Sequence, residues 1–217
     1  MNDKPPNRPK FAGELVLASS SPYRRQLLER LGLPFEVYVP EVDETALPDE
    51  PAASLARRLA LEKASAVLAK RPDALVIGAD QVAECRGRML GKPGNEINAI
   101  EQLMWMSNHQ VCYYSAVALI SPDRQLSEIV TTELKMRRLD RSSVENYVRR
   151  DQPFNCAGAM RSESLGIALT EYIRSDDPSA LIGLPLIATI KMLATHGVDV
   201  LSGPSARAFS DATCGKL

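Results

Sequence analysis

The chain has 217 residues, of which 45% are hydrophobic and 24% are charged, and its formal net charge is −1. A chain of this length can bury a core for one large domain or two small lobes. The near-neutral charge provides no global basic field for nucleic acid or an anionic membrane, so any anion site must be local.

The cysteines and the N-terminal segment bear on the cellular compartment. The four cysteines show no C-x-x-C spacing and no cluster with histidines, which argues against a zinc site or a disulfide framework. A reducing cytoplasm is the expected location. The first ten residues lack the apolar core of a signal peptide, and no stretch reaches the roughly 18 apolar residues of a membrane span.

The stretch LVLASSSPYRR at residues 15–25 follows an expected disordered leader, residues 1–12. It predicts a buried strand, a tight turn and the start of a helix, with Ser21 as the N-cap and Pro22 at the first helical position. Unpaired N–H groups and the helix dipole favour an anion there, so the hydroxyls and arginines form a candidate phosphate pocket. The alternative is an ordinary capped helix with solvated arginines.

The next segments place charged groups near predicted strand ends. A second strand, residues 35–39, is followed by the acidic loop PEVDE, which can hold Mg²⁺ or Mn²⁺ or simply be solvated. Helical spacing over residues 52–70 predicts a helix with the Lys63 stem on its apolar stripe. The Lys63 ammonium can then contact a phosphate, or it can simply extend to water while the stem stays buried. A third strand, residues 74–79, is predicted to end at Asp80, a position suited to a functional carboxylate or to a turn.

The segment GRMLGKP at residues 87–93 resembles a phosphate loop only in part. It has one residue too few between its glycines, and Pro93 replaces the metal-binding hydroxyl, so it is not a Walker A motif. Lys92 can reach a phosphate as a point charge or remain a solvated turn lysine. A helix is predicted from Asn95 or Glu96 to about Met106.

The second half has the pattern of a separate lobe. Residues 111–120 are apolar on both faces and predict a central strand, and residues 128–139 alternate and predict a half-covered antiparallel neighbour. Further predicted elements are a helix at 140–150, a polar turn at 161–164, a strand at 165–169 and a helix at 184–196. The expected domain spans 13–201, with lobes of about 13–108 and 109–201, before a flexible tail at 202–217.

Six motifs occur in one order: LASSSPYRR, PEVDE, LALEKA, GADQV, LGKP and AGAMRSE. Their order and spacing resemble those of the Maf family of nucleoside triphosphate pyrophosphatases, from about Glu14 to Gly197. SPYRR, in place of SPRR, is most similar to the 7-methyl-GTP pyrophosphatase branch. The resemblance implies an α/β fold of the Maf or ITPase-like type, with an elongated mixed sheet, helices, and two lobes flanking a cleft.

The activity implied by the resemblance is hydrolysis between the α- and β-phosphates, with a divalent cation such as Mg, Mn or Co. Asp80 is then the proton acceptor that activates water, and Glu44 helps to hold the metal. Four residues are implied to bind substrate phosphates: Ser19, Arg24, Lys63 and Lys92. Three are implied to set base specificity: Tyr23, Gln81 and Glu163. The branch often carries tryptophan at the Tyr23 position, and tyrosine is the weaker cation–π partner.

Other functions stay open at this point. A dTTP or UTP pyrophosphatase of the same family is one alternative. A non-catalytic nucleotide-binding regulator of cell division is another, although it would need the catalytic acids to be missing, and Asp80 and Glu44 are present. The charge balance and the 5% aromatic content disfavour a nucleic-acid binder. The expected partner is a small nucleoside triphosphate, without nucleic acid or membrane, and a homodimer is left open.

Overall fold

The computed structural model describes residues 13–201, so the predicted leader and tail lie outside the described part. The strands of this part are β1 (Leu15–Ala18), β2 (Glu36–Tyr38), β3 (Leu75–Cys85), β4 (Arg88–Leu90), β5 (Gln110–Ser121), β6 (Arg124–Met136) and β7 (Thr170–Ser175). Its α-helices are α1 (Pro22–Glu29), α2 (Ala52–Leu68), α3 (Glu96–Met106), α4 (Arg141–Asp151) and α5 (Leu186–Thr195). Three short 3₁₀-helices span Ala157–Ala159, Leu165–Leu169 and Ala180–Ile182.

One mixed sheet runs through the domain in the order β2-β1-β3-β5-β6-β7, with β4 paired to β3. β1 is parallel to β2 and to β3, whereas the other pairings are antiparallel. β5 lies between β3 and β6, as its two apolar faces predicted. The α/β class with a mixed sheet is therefore confirmed.

The prediction that the third strand ends at Asp80 is wrong. β3 continues to Cys85 because it pairs with the long strand β5 as far as Glu84. The parallel neighbour β1 does end early, at the pairing of Ala18 with Gly78. Asp80 therefore lies two residues beyond the end of β1, in the middle of its own strand and beside an open sheet edge.

The strand predicted at residues 165–169 is also wrong. That segment is a 3₁₀-helix, and the strand follows it as β7. Periodicity alone does not separate a short apolar run in a strand from one in a helix. In this 3₁₀-helix Gly166 packs against Arg161, whose carbonyl oxygen would lie 2.4 Å from a Cβ at this position.

The core is divided between the two faces of the sheet. Helix α5 packs with Leu17 and Ile77 on one face, while the apolar stripe of α2 covers Val16 and Val76 on the other. Helix α5, from the second half of the chain, packs on strands of the first half. The sheet and this core therefore connect the two predicted lobes. The division into lobes near residue 108 stays a prediction. No helix in residues 13–201 is long and apolar enough to cross a membrane.

Gly78 allows the backbone of α2 to lie directly on β3. A Cβ at this position would lie 2.1 Å from the Ala60 carbonyl oxygen and 2.9 Å from the backbone nitrogen of Ala64. Only a residue without a side chain fits so close an approach. The same approach brings Lys63, one turn along α2, next to Asp80 on β3.

We expect Gly78→Ala to lower the free energy of unfolding by about 3 kcal/mol, because the clashing atoms belong to backbone and cannot rotate away. Urea denaturation measures this loss. Gly91→Ala is the matched control, since a Cβ at Gly91 meets no heavy atom within 4 Å. Equal stability of the two variants would show that α2 is free to move off the sheet.

Candidate active site

A cleft of about 610 Å³ opens where β1 ends beside the middle of β3. Its walls come from the β1–α1 turn, the acidic loop, α2, β3, β4 and two segments of the second half. Every residue that the motifs single out lines this cleft: Ser19, Tyr23, Arg24, Glu44, Lys63, Asp80, Gln81, Lys92 and Glu163. The structure thus brings all nine together, and their individual roles stay predictions.

The β1–α1 turn combines a helix cap with a polar pocket. Ser21 is the N-cap of α1, its hydroxyl accepts a hydrogen bond from the Arg24 backbone N–H, and Pro22 occupies the first turn, as predicted. The buried Ser19 hydroxyl accepts a hydrogen bond of 3.1 Å from the Ser21 backbone. The capped N-terminus of α1 therefore faces the cleft, which favours an anion.

The two arginines of SPYRR have different environments. The Arg24 side chain is 13% exposed, its Nε donates to the Gly183 carbonyl oxygen at 2.9 Å, and its Nη2 lies 3.9 Å from Asp80 Oδ1. Arg25 pairs with Glu29 at 2.9 Å on the exposed face of α1. The interpretation of solvated arginines therefore holds for Arg25 and not for Arg24.

Lys63 lies on the apolar stripe of α2 as predicted, but its ammonium group turns into the site and not to water. The residue is 6% exposed. Its Nζ donates to Asp80 Oδ1 at 2.6 Å and contacts Glu44 Oε1 at 2.5 Å. A buried ammonium requires such partners, because an unpaired charge would carry a large desolvation cost.

Asp80 presents its two carboxylate oxygens differently. Oδ1 accepts from Lys63 and lies near Arg24, whereas Oδ2 accepts no hydrogen bond from any residue in the described range. The residue is 8% exposed and lines the cleft. One carboxylate oxygen is thus oriented by cations while the other is left to accept a hydrogen bond from water or a ligand.

Glu44 reaches into the site from the acidic loop. Burial raises the pKa of its carboxyl, but the hydrogen bond and charge of Lys63, with the charges of Lys92 and Arg24, bring this pKa below the ordinary glutamate value. Glu44 is therefore an anion at neutral pH. Lys92 is exposed at the cleft mouth and makes no ion pair or hydrogen bond within residues 13–201, so its ammonium is available to a ligand.

Gln81 is tied to the protein through its amide nitrogen. Nε2 lies 2.9 Å from the Ser115 hydroxyl and 3.0 Å from each of the carbonyl oxygens of Ala180 and Leu181. Oε1 accepts no hydrogen bond from the described residues. The side chain can therefore offer an acceptor to a ligand.

Tyr23 and Glu163 share a neighbour, Arg161, which lies within the motif AGAMRSE but was not predicted to take part in the site. The Arg161 guanidinium carbon lies 5.5 Å from the centre of the Tyr23 ring, and its Nε lies 3.6 Å from Glu163 Oε1. Arg161 is not among the cleft-lining residues, whereas Tyr23 and Glu163 are. Because Arg161 is 138 positions from Tyr23 in the sequence, no local pattern predicts this contact.

Cys156 also lines the cleft without having been predicted there. Burial raises the pKa of its thiol, and the negative charge of Glu163 raises it further. The neutral thiol is a poor nucleophile. This environment disfavours covalent catalysis by Cys156.

Two carboxylates of the cleft, Glu44 and Asp80, are candidates to hold a divalent cation. Among the described residues, no three Asp, Glu, His or Cys side chains meet as a complete metal site. Glu44 and Asp80 do come together, since both contact the Lys63 ammonium. Mg²⁺ is often held by one or two carboxylates together with substrate phosphates and water. The donor set therefore fits a cation that a polyphosphate helps to hold.

Comparison with known proteins gives a consistent result. The Maf-like protein family matches residues 14–196. A 7-methyl-GTP pyrophosphatase from Polaromonas sp. is 50% identical over 190 residues, which cover 87% of each chain. Proteins of the same name from Nitrosospira multiformis and Bordetella pertussis are 46% and 47% identical over 194 and 195 residues. These alignments cover 88% and 90% of this chain and 98% of each relative.

The family match spans most of the chain, and the relatives align over nearly their whole length. The chain therefore belongs to the Maf family.

Proposed function

We propose that the protein is a nucleoside triphosphate pyrophosphatase that converts 7-methyl-GTP to 7-methyl-GMP and pyrophosphate. The observation that carries this proposal is the buried Lys63–Asp80 pair in a cleft lined by further cations. The names of the relatives support the same reaction and substrate. We also propose that the protein acts in the cytoplasm and that its partner is this small-molecule substrate.

The triphosphate is bound by charge and by the start of α1. Arg24, Lys63 and Lys92 provide three cations against the two carboxylates of Glu44 and Asp80. Ser19 and the backbone N–H groups at the helix start add hydrogen-bond donors for phosphate oxygens. Phosphoryl transfer depends chiefly on such positioning and electrostatic stabilisation.

Asp80 acts as the general base in this mechanism. Because Lys63 orients Oδ1, Oδ2 is left to accept a proton from a water molecule. The water oxygen attacks the α-phosphorus, the bond from the α-phosphorus to the bridging oxygen breaks, and pyrophosphate leaves with the electron pair. A positioned carboxylate contributes about a hundredfold or more to such a step.

Glu44 is the residue that would hold the divalent cation, Mg²⁺, Mn²⁺ or Co²⁺, together with the substrate phosphates. A cation held there by Glu44 would supply positive charge beside the leaving pyrophosphate. Glu44 is suited to this role because its pKa lies below the ordinary value through its contact with Lys63, despite burial that raises it.

Base selection is assigned to three acceptor or aromatic groups. Methylation at N7 gives guanine a delocalised positive charge, which Tyr23 can stack on and Glu163 can neutralise. Glu163 is available because its carboxylate lies 3.6 Å from Arg161, beyond ordinary hydrogen-bonding distance. Gln81 adds a further acceptor.

The acceptor character of Gln81 and Glu163 favours guanine over the pyrimidines of UTP and dTTP. Guanine presents a ring N–H and an amine side by side, whereas uracil and thymine place a single N–H between two carbonyl oxygens. If Gln81 Oε1 or the Glu163 carboxylate faced a carbonyl oxygen of uracil or thymine, two hydrogen-bond acceptors would meet without a hydrogen between them. Leaving such buried acceptors unpaired costs free energy. This difference supports 7-methyl-GTP against the pyrimidine alternative.

A nucleotide-binding regulator without turnover would not need a catalytic acid. The presence of Asp80 and Glu44 together with the cations Arg24, Lys63 and Lys92 therefore supports an enzyme.

We expect Asp80→Asn to lower pyrophosphate release by at least about a hundredfold, since the amide cannot take the proton from water. The measurement is turnover on a panel of canonical and methylated nucleoside triphosphates, with and without divalent metal. Asp73→Asn, at an exposed position outside the cleft, is the control and should behave like the wild type. Near-normal turnover of Asp80→Asn would remove Asp80 from the mechanism.

Glu163→Gln should reduce the preference for 7-methyl-GTP over GTP by about 1–3 kcal/mol, because it removes one charged hydrogen-bonding partner. The ratio of kcat/KM values for the two nucleotides measures this preference. Glu171→Gln on the exposed face of β7 serves as the control. An unchanged ranking in Glu163→Gln, or a wild type that favours UTP or dTTP, would refute this assignment of the pocket.

A further inference from the structure

Ser115 lies behind the site on the central strand β5, opposite Gln81 on β3. It is fully buried and does not line the cleft. Its hydroxyl donates to the Ala180 carbonyl oxygen at 2.7 Å and accepts from Gln81 Nε2 at 2.9 Å. Ser115 therefore joins the cleft residue Gln81 to a segment that is 65 positions further along the chain.

The orientation of the Gln81 amide follows from these contacts. An amide NH₂ group has two donors and no acceptor, and here it faces a hydroxyl and two carbonyl oxygens. Rotating the amide by half a turn would place Oε1 about 3 Å from the Ala180 and Leu181 carbonyl oxygens, with no hydrogen between them. The amide oxygen is therefore the group left for a bound nucleotide.

The two carbonyl oxygens belong to a turn, residues 180–183, that we call the carbonyl turn. Its Gly183 carbonyl oxygen accepts from Arg24 Nε at 2.9 Å, so the turn also anchors a phosphate-site arginine. Asp177, which is 2% exposed, fixes the turn by accepting from Ser179 N at 3.0 Å and from Ile187 N at 2.7 Å. One buried network thus sets the positions of two cleft side chains.

We propose that Ser115 is a positioning residue for substrate selection, because it holds the Gln81 amide so that only its oxygen faces the bound nucleotide. The substrate group at that point must then be a hydrogen-bond donor, either an N–H of the base or a ribose hydroxyl. This inference rests on the pyrophosphatase function proposed above and extends it to a residue outside the cleft.

Removing the Ser115 hydroxyl breaks the buried hydrogen bond between β5 and the carbonyl turn. In Ser115→Ala, Gln81 loses one of its three acceptors, and the Ala180 carbonyl oxygen loses a donor and can shift away from the amide. Once these carbonyl oxygens shift, the amide can rotate and present an N–H group to nucleotides whose edge carries an acceptor. The expected result is an approximately tenfold fall in selectivity, the scale of coupling between contacting residues.

The test compares kcat/KM for GTP against ATP, because N1 is an N–H donor in guanine and an acceptor in adenine, and for GTP against dGTP, which reports a donor on the sugar. Ser115→Ala should lower one of these ratios about tenfold, while in a Gln81→Ala background it should change neither. Ser115→Cys, which leaves no cavity because its thiol is larger and which makes weaker hydrogen bonds, is the second variant in case alanine impairs folding.

Ser121→Ala is the matched control because Ser121 is a buried serine on the same strand, hydrogen-bonded to Asp123 and away from the cleft. It should lower the melting temperature as Ser115→Ala does, without changing either ratio. Unchanged ratios in both Ser115 variants, or equal effects with and without Gln81, would overturn the inference. A wild type that releases pyrophosphate from no triphosphate would instead overturn the proposed function, and this inference with it.

Discussion

The contact of the Lys63 ammonium with Asp80 and Glu44 is the interaction on which the site depends. The lysine stem belongs to the apolar face of α2, and its charge lies where only 6% of the residue is exposed. A buried charge of this kind persists only with its partners, and removing either carboxylate leaves a poorly compensated ammonium. The pair therefore links the packing of α2 on the sheet to the orientation of the candidate base.

The sheet topology creates the space in which this contact is useful. β1 is short and stops at Ala18, whereas β3 runs on beside β5 to Cys85. The change from parallel to antiparallel pairing leaves a crevice beyond the carboxyl end of β1, the usual ligand position in open α/β sheets. The acidic loop and the carbonyl turn then bring carboxylate and carbonyl oxygens to that crevice.

Sequence patterns within a few residues predicted the helix start and the strand face that such short patterns determine. Ser21 and Pro22 marked the start of α1, and the alternation after residue 128 marked the half-covered face of β6. The length of β3 was not predictable in this way because its part beyond Asp80 pairs with β5, from Gln81 with Ser115 to Glu84 with Cys112. The 3₁₀-helix at Leu165–Leu169 was missed because a five-residue apolar run has no period that distinguishes a strand from a helix.

The motifs identified the residues that line the cleft but not those that hold them in place. Three such contacts join residues that are far apart in the sequence. Arg161 lies over the Tyr23 ring, Ser115 accepts a hydrogen bond from Gln81, and the Gly183 carbonyl oxygen accepts one from Arg24. Such contacts depend on how the whole chain folds, and even Arg161, which lies within the motif AGAMRSE, carries no local sign of its contact with Tyr23. A cleft side chain can thus be anticipated from its motif, whereas its orientation requires the tertiary structure.

The most direct test of the account is the fate of the oxygen atom from water. Hydrolysis of 7-methyl-GTP in water enriched in a heavy oxygen isotope should place one labelled oxygen in the nucleoside monophosphate and none in the pyrophosphate, as attack on the α-phosphorus requires. Label in the pyrophosphate, or release of inorganic phosphate alone, would contradict the proposed mechanism at Asp80.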